Sequence, residues 1–178
     1  FARRADQWLA VRPGTDQALA LGLANRIIES DRFDRAFMTK WSNGPFLVRA
    51  DTGRFLRESE ITDGGSATVL LAVAEAGGLL RYETGRGVWL DDGDPVLRAT
   101  LDADTPDGPV ACRSAFEEYA TTAAEWPAAR VEAVTGVPEA DLENAAAILA
   151  GAASVAYYAW NGVGQSPSAT QTDRAISL

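Results

Sequence analysis

Two short loops hold the residues whose types and spacing could do chemistry: Arg12-Pro13-Gly14-Thr15-Asp16 and Asn161-Gly162-Val163-Gly164-Gln165-Ser166. Each joins glycine, which lets a ligand approach the backbone closely, to polar side chains at a point where a strand would hand over to a helix. The first N–H groups of such a helix lack intrahelical acceptors and so face whatever binds there. Asp16 offers acceptors only, which suits two adjacent donors such as the N1–H and N2–H of a guanine; an acidic residue in a first turn also stabilises the helix dipole with no ligand at all. Both readings stand at this level. Asn161 and Gln165 donate and accept, which fits a pterin rim of mixed donors and acceptors, or equally a loop that satisfies its own backbone. Gly162-Val163-Gly164 is not the dinucleotide fingerprint, because the third glycine is missing and no acidic residue follows at the required distance.

Absences narrow the chemistry further. The 178 residues include no histidine, and Cys112 is the only cysteine, so a serine–histidine triad, a histidine zinc site and an internal iron–sulfur cluster are excluded within the chain. Cys112 therefore reads as an inert structural thiol, and neither a catalytic residue nor a metal ligand is assigned. A formal charge of -9 argues against nucleic acid or an anionic membrane as partner, since both demand clustered Lys and Arg. No apolar run approaches the roughly 20 residues of a spanning helix, so direct membrane insertion is not expected.

The elements that must position the two loops follow from periodicity and punctuation. Trp8 to Arg12 reads as the end of a strand closed by Pro13 and Gly14. Thr15 is a suitable N-cap for a helix reaching Glu29, in which Leu19, Leu23 and Ile27 recur at four-residue spacing. A second helix is expected over Arg32 to Trp41, with Phe33, Phe37 and Trp41 on one packing face, ended by Asn43-Gly44-Pro45. From Phe46 to about Thr105, turn signals at Asp51-Thr52-Gly53, Asp63-Gly64-Gly65, Thr84-Gly85 and Asp92-Gly93 predict an irregular, β-leaning insertion. Within it, Thr68 to Ala76 fits a helix or a buried strand. Asp91-Asp92-Gly93-Asp94 lacks the spacing of a calcium loop and reads as a solvated turn, while Arg81, Arg86, Arg98 and Arg113 read as surface cations.

Helical pattern returns over Ser114 to Ala124, over Pro127 to Thr135 with Gly136 as the stop, and from Pro138 to Gly151 with Leu142, Ala145, Ala146 and Leu149 inward. Ser154 to Trp160 reads as a buried parallel strand, followed by the second loop and a helix from Ala169. The expected fold class is α/β, a Rossmann-like layered domain with a mainly parallel sheet flanked by helices. The chain opens on Phe1 and closes on Ala175-Ile176-Ser177-Leu178 without a helix stop, so both ends read as cuts in a longer protein.

Several stretches carry a specific resemblance. Ala5-Asp6-Gln7-Trp8-Leu9-Ala10-Val11-Arg12-Pro13-Gly14-Thr15-Asp16-Gln17-Ala18-Leu19-Ala20-Leu21 resembles the cofactor-domain signature of the dimethyl-sulfoxide-reductase family of molybdopterin oxidoreductases. Val155 to Gln165 and Ala169 to Ile176 resemble that family's strand and following helix, and Asn43 to Arg49 and Thr135-Gly136-Val137-Pro138 also fit. The likeness implies that residues 1–178 form part of a cofactor-binding domain, within a catalytic subunit that holds molybdenum or tungsten between two pyranopterin guanine dinucleotides. It implies that Pro13, Gly14, Thr15 and Asp16 line a guanine-nucleotide pocket, and that Asn161, Gly162 and Gln165 face the cofactor. It also implies that the metal ligand and any iron–sulfur cluster lie outside this stretch, so the piece alone is inactive. Its partners would be the remainder of the polypeptide and an iron–sulfur electron-transfer subunit.

Other functions remain open on the residues alone. One is a structural electron-transfer domain like the large iron–sulfur subunit of respiratory complex I, without molybdenum. Another is an unrelated Rossmann-like nucleotide-binding module, and a third is a family variant that hydrates its substrate without net redox change.

Overall fold

The computed structural model describes residues 4–158 and 169–177. They divide into two compact units, Phe1–Phe33 with Ala120–Leu178, and Asp34–Tyr119, each with its own core.

The first unit is helical. It contains α1 (Asp16–Glu29), the end of α3 (Ala115–Ala124), α4 (Ala128–Thr135), α5 (Glu139–Gly151) and α6 (Ala169–Ser177). Helix α1 packs against α4, α5 and α6 and buries Ala18, Leu21, Gly22, Asn25 and Ile28. The expected line Leu19, Leu23 and Ile27 is only half-buried. A helix pressed by three neighbours puts its smallest side chains on the line of closest approach, and four-residue spacing of leucines does not reveal that choice. On α5, Leu142 and Ala146 are buried as expected, but Ala145 is half-buried and Leu149 is exposed. Gly136 ends α4 in the left-handed conformation with φ +79°, and its N–H donates to the Glu132 carbonyl at 2.8 Å.

The second unit begins with α2 (Arg35–Trp41), entered through Asp34, whose carboxylate accepts from the Phe37 N–H at 2.8 Å. The helix starts three residues later than the pattern predicts, and none of its residues is buried. Phe37 and Trp41 are 56% and 70% exposed, so the expected aromatic packing face points to solvent. Ala36 and Thr39 instead line a hollow that also includes Trp89, Pro95 and Leu97.

Six strands then form two three-stranded antiparallel sheets, β1 (Leu47–Arg49), β6 (Gly108–Ser114) and β5 (Thr100–Thr105) in one, and β2 (Val69–Val73), β3 (Leu79–Glu83) and β4 (Val88–Trp89) in the other. The ambiguous Thr68 to Ala76 stretch is thus the buried strand β2. Sheet structure runs past the expected boundary at Thr105 to Ser114, because a tight turn at Pro106-Asp107 pairs β5 with β6. Leu47, Leu56, Val69, Leu71, Ala103 and Cys112 form the main core, and Phe46 gathers Phe55, Tyr82 and Trp89 with ring centroids 5.0–6.1 Å away. Ser114 is fully buried and ties three segments together: its Oγ donates to the Leu97 carbonyl and accepts from the N–H groups of Ala99 and Glu117, both at 3.2 Å. β5 is an edge strand, and Thr100, Asp102 and Asp104 on its outer face are exposed.

Three of the arginines read as surface cations are ion-paired. Arg81 bridges Asp91 and Glu58, Arg98 meets Glu117, and Arg113 lies 4.0 Å from Glu118. Arg49 likewise bridges Asp51 and Glu60, so the single turn of 3-10 helix Glu58–Glu60 is fastened to β1 by one arginine and to β3 by the other.

Every sheet ladder among the described residues is antiparallel, and the expected mainly parallel, Rossmann-like sheet is not seen in them. The strands that do pair are sequence neighbours joined by tight turns or meet across one small core, which gives antiparallel pairing, whereas a parallel pair needs a long crossover and a neighbouring strand. Trp8 to Arg12 and residues 154–158 form no strand among the described residues. Val155, Tyr157 and Tyr158 are 61%, 57% and 82% exposed. The end of that expected strand and the whole second loop lie outside the described residues. No described helix is long and apolar enough to cross a membrane.

A candidate cofactor-binding corner at the start of α1

Residues before the first loop are pinned to distant helices. The Gln7 amide donates to the Asp141 carbonyl at 2.7 Å and accepts from Asn144 Nδ2 at 3.2 Å. The Arg12 N–H donates to the Thr135 carbonyl at 2.9 Å, and Arg12 Nη1 reaches the carbonyls of Ala133 at 2.8 Å and Val134 at 3.2 Å. A cation on the last carbonyls of α4 satisfies orphan acceptors and meets the negative end of the helix dipole. Gly136 makes room for it: a Cβ there would stand 3.3 Å from Arg12 Nε.

The chain then turns sharply. The Thr15 N–H donates to the Arg12 carbonyl at 3.1 Å, with Pro13 and then Gly14, at φ +82°, in the two central positions, as in a type II turn. Nothing lies within 4 Å of where a Gly14 Cβ would be, so that face of the turn is open. The Thr15 hydroxyl donates back to the Arg12 carbonyl at 2.7 Å and does not cap the helix. The opening N–H groups of α1, those of Asp16 and Gln17, therefore have no intrahelical or side-chain acceptor among the described residues. Asp16 is half-buried, and among those residues its carboxylate has no hydrogen-bond or ion-pair partner.

Pro13, Gly14, Thr15 and Asp16 thus form one turn at the start of α1, whereas Asn161, Gly162 and Gln165 lie outside the described residues. Sequence reasoning missed the positioning roles of Gln7 and Arg12. Their partners are 121 to 137 residues away, and no local pattern signals a clasp of that range. Cys112 is 1% exposed, and burial pushes its thiol pKa up, which keeps it protonated and unreactive.

Similarity to known proteins gives this corner its context. No family model matches the chain. It is 31% identical over 140 residues to dimethylsulfide dehydrogenase subunit alpha of Rhodovulum sulfidophilum, covering 75% of this chain and 15% of that one. It is 32% identical over 152 residues to respiratory nitrate reductase subunit alpha of Haloferax mediterranei, covering 76% and 15%. The chain belongs to the dimethyl-sulfoxide-reductase family of molybdopterin oxidoreductases. Among solved structures, acetylene hydratase from Pelobacter acetylenicus shares its fold with a TM-score of 0.57 over 98% of this chain and 14% of the other, at 19% identity. The chain spans 15% of the length of the first two curated relatives and is a partial region of such catalytic subunits.

Enzymes of this family use a molybdenum bis-pterin cofactor. The corner fits part of such a group. Open helix N–H donors beside a side-chain-free turn suit an acceptor-rich phosphate, and an unpartnered carboxylate suits a base edge that presents donors.

Proposed function

We propose that this chain supplies the guanine-dinucleotide clasp of a molybdenum or tungsten oxidoreductase subunit that carries out two-electron redox or oxygen-atom transfer. The observation that carries the reading is Asp16, half-buried and, among the described residues, without a hydrogen-bond or ion-pair partner, at the start of α1 behind the positive-φ Gly14. In this reading Pro13 and Gly14 shape the turn, the opening N–H groups of α1 meet phosphate, and the Asp16 carboxylate accepts from the two donors of a guanine. Asn161, Gly162 and Gln165 complete the cradle from the second loop. The bound metal would supply the redox chemistry, while these residues bind and orient. The metal ligand, any iron–sulfur cluster and the contacts to an electron-transfer subunit belong to the remainder of the polypeptide.

The same reading assigns the segments around Trp8 to Arg12 and Ser154 to Trp160 to a parallel sheet completed by other parts of the full-length subunit. Its support is physical. Exposure alternates residue by residue from Gln7 to Arg12 as in a strand, and Val155 and Tyr157 are apolar side chains left exposed, as on a strand that lacks its neighbours.

The test is metal, pterin and nucleotide analysis of the purified full-length subunit. Molybdenum or tungsten with pterin and released guanine nucleotide is the expected content. An adenine nucleotide in place of guanine, or no metal and no pterin, overturns the reading.

A further inference from the structure

We propose that Asn43 is a latent deamidation site, held unreactive by the native junction between α2 and β1 and released when that junction opens. Deamidation at an asparagine begins when the backbone nitrogen of the next residue attacks the side-chain amide carbon. Glycine in that next position leaves the attack unhindered, and Asn43-Gly44 is such a pair. The structure explains why glycine stands there despite the liability. A Cβ on Gly44 would sit 3.2 Å from Leu97 Cδ2, 3.5 Å from Phe116 Cβ and 3.0 Å from Ser42 Oγ.

The Asn43 side chain is exposed to water, but the attacking nitrogen is held back. The Gly44 N–H donates to Ser42 Oγ at 3.0 Å, and that hydroxyl is itself fixed by donating to the Met38 carbonyl at 2.6 Å. The flanking peptides are pinned as well: the Gly44 carbonyl accepts from the Phe116 N–H at 2.9 Å and the Asn43 carbonyl from the Phe46 N–H at 3.1 Å. Ring closure needs a deprotonated Gly44 nitrogen and rotation of these peptides, and the native bonds oppose both.

Once the junction opens, the Gly44 nitrogen loses its proton to solvent base and bonds to Asn43 Cγ. The Cγ–NH2 bond breaks, and the leaving group takes up a proton and departs as ammonia. Water then opens the succinimide at either carbonyl, giving aspartate or isoaspartate with no redox change. Isoaspartate lengthens the main chain by one carbon between α2 and β1. That insertion falls directly before the Gly44 carbonyl that accepts from the Phe116 N–H, so it opposes reclosure of the junction.

The experiment is peptide mapping with isoaspartate detection on the full-length subunit, incubated in mildly alkaline buffer with and without urea. Native protein should deamidate at Asn43 at least about tenfold more slowly than unfolded protein, with the rate climbing along the unfolding transition. Ser42→Ala should raise the native rate severalfold and leave the unfolded rate unchanged. Equal native and unfolded rates, or no reaction at Asn43 in urea, overturn the proposal. A folded Ser42→Ala protein that reacts no faster than wild type overturns the part assigned to Ser42. If that variant does not fold, the urea dependence of wild type decides alone.

Discussion

Gly22 of α1 lies so close to Val131 of α4 that a Cβ on the glycine would stand 2.4 Å from Val131 Cγ2. Gly22→Ala sets two effects against each other. Alanine gains up to about 1 kcal/mol of helix propensity, and overpacking a fully buried valine costs about 1–3 kcal/mol. Packing wins, so urea unfolding should show a net loss. Because Val131 Cγ2 is the group in the way, the loss should shrink when Val131→Ala is added, and a purely additive double mutant would refute the close-approach account.

Arg12 fixes the turn that leads into α1. Arg12→Ala removes two bonds to the end of α4 and should cost about 1 kcal/mol, a modest sum because the side chain is exposed. The larger consequence should be functional, with nucleotide content of the full-length subunit falling further than stability. Arg12→Lys cannot span both carbonyls and should recover only part of it.

Asp16→Asn exchanges one acceptor oxygen for a donor in nearly the same volume. Stability should change by less than about 1 kcal/mol, since only the helix-dipole term is lost. Guanine-nucleotide binding should weaken by about 1.5–3 kcal/mol, roughly ten- to a hundredfold, as expected for a charge-assisted bond. Nucleotide released on denaturing the two purified proteins measures it, and unchanged guanine content would end the carboxylate's assigned role.

The paired arginines of the second unit set an acid limit. Hydrogen bonding to Arg49 holds the Asp51 carboxyl below its ordinary range, and bonding to Arg81 does the same for Asp91. With folded-state values depressed, their contribution is fully present above the ordinary carboxylate pKa of about 4 and is lost as pH falls through the lower folded-state values. Urea midpoints should therefore be flat near neutrality and drop below about pH 4. Asp91→Asn should flatten that acid limb and lower the neutral plateau slightly.

Much of the helical frame was legible because its signals are local. Gly136 stops α4 and Pro138 precedes α5, each through backbone chemistry that a single residue decides, whereas Thr15, read as the cap of α1, turns its hydroxyl back to the Arg12 carbonyl. Faces were harder to read. Phe37 and Trp41 have helical spacing yet face solvent, and α1 buries a line that runs through Gly22 and Asn25, since the packing partner decides which stripe is covered. The sheet grammar was legible in kind but not in pairing. Turn signals announced the turn after β1 at Asp51 to Gly53 and the β3–β4 turn at Thr84-Gly85 but not the β2–β3 or β5–β6 turns, and apolar runs such as Ser154 to Trp160 state that a strand wants burial and not which neighbour provides it. Of the candidate site, the Pro13 to Asp16 turn could be read from residue types alone, but its anchoring by Gln7 and Arg12 depends on contacts across most of the chain.

Among the described residues β5 leaves one flank unpaired, and it carries Asp102 and Asp104 on a single face. A second molecule offering the same strand alongside would set like charges near one another, so the carboxylates guard this border against self-association.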